Sequence, residues 1–437
     1  MLSTVLTIVA IIGITILIGT GVFFNSRFLF VLFLIKPFID ITVNEDLVGG
    51  FNALELSGAW IFLMVFIQYV RQSGKTTLFN HGVMWFFVLL HALIFLITYF
   101  NGNQLLIEGA KFFLRLLNGY CIYFVASNQL MKDTKSRLEL YRIIWITSLL
   151  AGIITIVVYV TGISNVDTTR GVTRYNGLYN DPGTPSYLSV ICLIFASLYF
   201  EVKKESPALF ERLLYYFSWA VTFYIQYIAL TKSALLMFVI FTIMWFGIYK
   251  KRIYLILPAV AAGIFLAYTM VEGLSTRFET EVNFVESGGD SEAAKSVGTG
   301  RVNKWEETLD IFYASDLPTK LLGTSKNFAA HNQYIAYLMQ VGIIGLSVFI
   351  LILLRFYKKL IEIYFRTASS EIFVALTILL MYSVYAITGH PFDYTTLLWY
   401  LMIMLSLINV YSVERKKIIL QRMLELKMQS KSQVQLT

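Results

Sequence analysis

The stretch HNQYIAYLMQVGIIGLSVFILILL, residues 331–354, decides the fold. From Tyr334 onward it is apolar for about the 20 residues that a membrane-crossing helix needs. A histidine and an asparagine, His331 and Asn332, stand at its mouth, and a long polar segment precedes them. Similar runs fill the chain, at 2–23, 28–43, 53–70, 82–100, 104–127, 143–162, 185–201, 213–230, 233–249, 253–271, 370–389 and 396–412. The run at 28–43 is short and interrupted at Lys36-Pro37, so it is expected to be bent or re-entrant, and the count is about 12–13 spans. The chain has 437 residues, of which 57% are hydrophobic and only 14% charged. Its mean hydropathy is +0.68. Soluble chains carry roughly 25% charged residues, so most of this surface must face lipid. The expected fold is an all-α polytopic transmembrane bundle, one integral membrane domain over 1–437. The short alternating segments of an outer-membrane barrel are absent.

Basic residues cluster in every second loop. One set holds Arg71 and Lys75; Lys132, Lys135, Arg137 and Arg142; Lys203, Lys204 and Arg212; Lys250, Lys251 and Arg252; Arg355, Lys358, Lys359 and Arg366; and the tail 413–437. The alternate set holds Asp40, Glu45 and Asp46; NGNQ at 101–104; the segment 163–184; Thr231-Lys232; the loop 272–333; and the GHPFDY turn at 389–394. The two sets alternate without a break. By the positive-inside rule the first set, including the basic C-terminal tail, is cytoplasmic and the second external. The net charge of +8 therefore reports topology and not a nucleic-acid partner. Cys121 and Cys192 fall inside apolar runs and read as small buried hydrophobes. The first run begins at residue 2 without a basic flank or cleavage site, which reads as a retained span.

The external side carries the only sizeable polar structure, and no soluble domain or internal repeat is visible. In the loop 272–333, ESGGDSEAAKSVGTG (286–300) reads as flexible. RVNKWEETLDIFYASD (301–316) does not: Val302, Trp305, Leu309 and Phe312 share one helical face. An amphipathic helix near 301–314 is expected there.

No phosphate-binding glycine loop, dinucleotide fingerprint, CxxC, HExxH or paired-aspartate motif is present. Candidate chemistry rests on cations and one histidine. His331 reads either as a capping or interfacial histidine or as a general base at a helix N-terminus that favours anions. Arg170 and Arg174, in TTRGVTRYNG, are solvated loop charges or ligands for an anion. Lys232 sits in the tight external turn ALTKSALL, where it is a snorkelling lysine or a placed cation. Arg301 and Lys304 open the amphipathic helix. Glu108, Lys111 and Arg115 share one face of a span, as a structural ion pair or as the lining of a wet path.

These segments together resemble the O-antigen ligase and Wzy-type polysaccharide polymerase superfamily. HNQYIAYLMQVGIIGL (331–346) is similar to the family's His-Asn before a Gly-rich helix. GRVNKWEETLDIF (300–312) is similar to its Gly-Arg and Trp in the large external loop. RYNGLYNDPGTPSYL (174–188) resembles its Arg, Gly, Asn-Pro segment, with Asp181 intervening. ALTKSALLMF (229–238) carries Lys232 where arginine is usual, exchanging a bidentate grip for a point charge. The resemblance implies transfer of a glycan from an undecaprenyl-pyrophosphate carrier to a sugar hydroxyl, on the outer face and without a metal or other cofactor. It implies His331 as base, Arg174, Lys232 and Arg301 on the pyrophosphate, Asn332 and Arg170 in support, and Arg115 and Lys111 along the lipid-phosphate path. Expected partners are the lipid-linked glycan, membrane lipid, and a chain-length regulator and flippase of the same pathway. A polymerase of a bacterial cell membrane is the main expectation and a ligase to another acceptor the alternative. A lipid-linked sugar transporter is a third reading. It expects matched broken helices in two halves, and the sequence shows one interruption, near Pro37, with no counterpart.

Overall fold

Each apolar run between residues 28 and 249, and each from 334 onward, coincides with a helix. The computed structural model describes residues 11–13, 15–16, 19, 23, 27–41, 46–48, 51–72, 78–100, 106–130, 133–167, 174–179, 181–203, 206–229, 231–252, 254, 301–324, 331–392, 394 and 397–414. Most of the expected spans 2–23 and 253–271, the loop centre 286–300 and nearly all of the tail 413–437 lie outside them. The first half is built from α1 (Phe28–Ile39), α2 (Ala53–Gln72), α3 (His81–Phe100), α4 (Leu106–Leu130), α5 (Thr134–Val160), α6 (Gly183–Val202) and α7 (Leu209–Ala229). Then come α8 (Lys232–Thr242, continued as a π-helical stretch Ile243–Tyr249), α9 (Arg301–Ala314), α10 (Leu317–Leu322), α11 (Gln333–Thr367), α12 (Ser370–Tyr385) and α13 (Leu397–Glu414). Two small antiparallel hairpins, β1–β2 (Asp46–Val48, Phe51–Asn52) and β3–β4 (Asn165–Asp167, Arg174–Gly177), complete the described chain. The protein is an all-α polytopic helical membrane protein.

Among the described residues, α3, α5, α6, α8, α11 and α13 are long and apolar enough to cross a membrane. The helix α1 has 12 residues, about 18 Å at 1.5 Å per residue, short of the roughly 30 Å hydrocarbon core. The expectation of an irregular second span is met by this short helix, which holds Pro37 in its last turn. Helices α3 and α7 turn large apolar side chains outward, among them Leu89, Leu93, Leu213 and Phe223, as a lipid-facing surface does.

The helix α6 is buried at every residue from Gly183 to Tyr199. It packs between α5, α7, α8 and α12. Its small polar residues bind its neighbours: Gln226 Nε2 on α7 donates to the Ser186 carbonyl (3.0 Å) and to Ser189 Oγ (3.1 Å). Thr222 Oγ1 donates to the Ser189 carbonyl at 3.0 Å. Where lipid removes the hydrophobic drive between helices, such bonds and close packing hold them together.

One end of the bundle is closed by a buried ion pair. Arg137 Nε on α5 donates to Glu371 Oε1 on α12 at 3.1 Å, and its Nη1 reaches Glu414 Oε1 on α13 at 3.3 Å. The Tyr141 and Tyr411 hydroxyls each donate to Glu371 at 2.6 Å. Lys250 pairs with Glu201 and Arg355 Nε donates to Asn80 Oδ1 (2.5 Å). The Arg137, Lys250 and Arg355 loops belong to the set with basic clusters.

Helix α11 departs from expectation. It is interrupted at Gly342, whose φ of +65° and ψ of −170° are not helical. That conformation is essentially confined to glycine. A Cβ at Gly342 would stand 2.2–2.3 Å from the backbone carbonyl of Leu321 on α10. Gly323, at φ +78°, lies as closely on the backbone of Gln340. The Thr324 N–H donates to the Met339 carbonyl at 2.9 Å, taking up an acceptor at the break. The sequence reading of one interrupted segment, near Pro37, is thereby corrected: apolar periodicity runs straight through Gly342 and gives no sign of its dihedrals.

Candidate active site

Asn332 opens α11. Its backbone is extended, and its Oδ1 accepts from the N–H groups of Tyr334 (3.0 Å) and Ile335 (3.2 Å). This is the N-cap geometry that asparagine favours. Asn332 Oδ1 thus serves as a backbone cap. His331 precedes it, half-buried, with φ +49°, an uncommon conformation in which His, Asn and Asp are enriched. The Gln333 N–H donates to the Ala386 carbonyl at 2.8 Å, which ties this helix head to the end of α12.

Contacts run from there across the same end of the bundle. Tyr385, the last residue of α12, lies 5.1 Å from Tyr187 between ring centroids. The Tyr187 hydroxyl is 2.6 Å from Ser233 Oγ, adjacent to Lys232, the first residue of α8. Asp181 stands at the head of α6: its Oδ1 accepts from the N–H of Gly183 (2.7 Å) and of Thr184 (3.1 Å). The hydroxyls of Thr184 and Tyr394 bond to each other, and the Tyr179 hydroxyl donates to the Pro37 carbonyl at 3.1 Å. Burial, with the Asp181 and Asp40 carboxylates nearby, pushes the Tyr394 phenol well above its ordinary pKa. Tyr179 is raised likewise by burial and Asp40. Lys36 pairs with Asp40 at 2.5 Å. Three helix heads, α6, α8 and α11, therefore meet at one end, and each brings a partial positive charge. All these loops belong to the set that lacks basic clusters.

Lys232 is half-buried at the head of α8. Arg174, opposite Asp167 in the β3–β4 hairpin, is buried at 8% exposure. It is therefore not a solvated loop charge, and its strand packs on α5, α6 and α7. Arg301 begins α9, which rests on α11. The buried face of α9 carries Thr308 and Phe312. Arg170 lies outside the described residues, as do the side chains of Arg301, Glu108 and Lys111. Arg115 is exposed, so its expected placement facing into the bundle is corrected: its neighbour Leu116 takes the inward position. Leu116 lines an apolar crevice between α3, α4, α11 and α13 together with Phe87, Tyr337, Phe349, Phe356 and Phe392. Tyr337 and Phe392 bring that crevice up beneath His331.

His390, Tyr187, Tyr385 and Tyr394 were not singled out in the sequence. The GHPFDY turn was legible as an external connection, but which histidine faces which is set by tertiary packing. Among the described residues no group of three His, Cys, Asp or Glu side chains is gathered to hold a metal.

An apolar bundle with lipid-facing helices and a polar, cation-bearing cluster at one end defines an integral membrane protein. Residues 217–350, from α7 through the break in α11, match the family model Wzy_C, described as O-antigen ligase, so the chain carries a segment of the O-antigen ligase/Wzy superfamily. No curated protein matches the chain. That match, over about a third of the chain, supports a membrane glycan-transferring enzyme.

Proposed function

We propose that the protein polymerises undecaprenyl-pyrophosphate-linked oligosaccharide repeats into a surface polysaccharide, by metal-independent, inverting transfer on the outer face of a bacterial cell membrane. One observation carries this reading: the heads of α6, α8 and α11 meet at one end with Lys232 and His331 among them. A carrier diphosphate bears two negative charges and leaves as an anion. Helix heads and lysine or arginine offset that charge where it develops. Arg174 and Arg301 complete the cation set in this reading, and Arg170 and Lys111 extend it. The acceptor hydroxyl oxygen attacks the anomeric carbon and the bond to the diphosphate breaks. The electron pair leaves with the diphosphate, and the hydroxyl proton passes to His331. A single displacement inverts the anomeric centre. The apolar crevice beneath His331 suits the tail of a lipid-anchored substrate.

The family description favours a second version of the same chemistry, ligation of the glycan to a different acceptor. The break at Gly342 is of the kind that transporters also use. Here, however, the break is packed against α10, where a Cβ at Gly342 would meet the Leu321 carbonyl. The test uses purified protein, lipid-linked oligosaccharide and no ATP. The expected result is chain extension that persists in EDTA and is lost in His331→Ala. Activity abolished by the chelator removes the metal-free mechanism, and a fully active His331→Ala removes the base. Product that appears only on a non-carrier acceptor selects the ligase.

A further inference from the structure

The chain has four histidines, and two are committed elsewhere. His91 is buried in α3 with its Nδ1 2.9 Å from the Phe87 carbonyl. His81 Nδ1 lies 2.6 Å from the Tyr120 hydroxyl. The other two face each other at the mouth of the site: the ring centroids of His331 and His390 are 6.3 Å apart, with planes inclined at 48°.

The placement of His390 is over-determined. On one side, Gly389 presses on the ring of Tyr385, where a Cβ would stand 2.3 Å from Cε2. On the other, Phe392 is 4% exposed and packs edge-on against Phe349 at 5.0 Å. The Tyr394 N–H donates to the His390 carbonyl at 3.0 Å, and the Tyr394 hydroxyl is joined to Thr184. The turn is thus pinned to α6, α11 and α12. His331 directly precedes two anchors, the Asn332 cap and the Gln333–Ala386 bond. Folding brings together two half-buried imidazoles that 59 residues separate along the chain. Two hydrogen bonds of about 2.8 Å each, meeting at one oxygen, bridge ring edges at this separation.

We propose that His390 is the second imidazole of the acceptor site: the acceptor hydroxyl seats between the two rings. His331 takes its proton, and His390 donates a hydrogen bond to the same oxygen and fixes its line of attack. The inference rests on the transfer reaction proposed above and adds to it a specificity for a hydroxyl acceptor. The bond inventory is unchanged, because His390 gives up no proton over the step. Among the described residues, the charged groups at this end include Lys232 at the head of α8 and, beyond Tyr394, Asp181 and Asp40.

The test combines kinetics with a metal probe. In the full-length protein, His390→Ala should lower acceptor kcat/KM by about 100-fold, with donor KM unchanged. His390→Gln, which keeps an N–H donor, should recover at least about a tenth of the wild-type value. The probe is Zn²⁺ on otherwise untouched protein: one tetrahedral ion with Zn–N distances of about 2.0–2.1 Å bridges both rings once they close by about 1 Å, so it should bind and compete with the acceptor. His331→Gln and His390→Gln should each abolish that binding, read by calorimetry without turnover. His390→Ala with acceptor kcat/KM within about twofold of wild type overturns the proposal. So does zinc that leaves acceptor handling untouched in wild type, which needs no variant to fold. Wild-type protein inert toward every lipid-linked donor, yet binding zinc through both histidines, instead overturns the transfer reaction.

Discussion

Gly342→Ala tests whether the break in α11 holds the site. A Cβ there costs about 1–3 kcal/mol from the backbone conformation alone, because L-residues scarcely populate it. The new atom also meets the Leu321 carbonyl group at 2.2–2.3 Å, and backbone has no flexible end to give. Helix α10 must therefore withdraw, and the Thr324–Met339 hydrogen bond is lost, adding about 1 kcal/mol. The sum is about 3 kcal/mol, a factor of roughly 100–200 in the local opening equilibrium. Hydrogen exchange read by mass spectrometry should show peptides covering 317–324 and 333–342 exchanging faster by that factor, while α6 stays unchanged. Transfer should fall by about 100-fold, because a misplacement of about 1 Å at a reacting group costs that much. Gly82→Ala is the control, since nothing lies within 4 Å of its Cβ position. Exchange within about threefold of wild type at both peptides would refute the reasoning.

Lys232→Ala and Arg174→Ala should raise the KM for the lipid-linked donor with the acceptor KM unchanged; unaltered donor kinetics would return both to structural roles. Arg137→Ala strands Glu371 among Tyr141 and Tyr411 and should destabilise the folded protein by about 3–5 kcal/mol, as loss of one partner of a buried pair does. Thermal unfolding in detergent reads it, and an unchanged midpoint argues against the clamp. Tyr394, with its pKa raised, favours the folded state fully below the ordinary phenol value of about 10, and that contribution is lost as pH rises above it. Stability measured from pH 6 to 9 should therefore be the same for wild type and Tyr394→Phe apart from a constant offset, with the curves converging only above pH 10.

Much of the bundle was legible because apolar length and loop charge are local properties. The runs at 82–100, 185–201 and 396–412 needed no partner to be recognised. The apolar face of α9 follows from its spacing, whereas the sequence offered His331, and not Asn332, as the capping residue. Gly342 was different. In a run of small and apolar residues a glycine reads as packing, and its φ is fixed by α10, which comes from elsewhere in the chain. Arg115 was misplaced for a related reason: spacing puts charges on a common face but does not say what that face meets. His390 was invisible as a partner because proximity across 59 residues is set by the folded core.

The two native thiols have a practical use. Cys121 and Cys192 are 0% and 1% exposed, so water-soluble maleimides should find the wild-type chain blank. A single cysteine introduced at Ser164, or at Glu362 on the opposite end, becomes an unambiguous reporter. Labelling of intact cells with a reagent that does not cross the membrane then reads the orientation of the whole bundle directly.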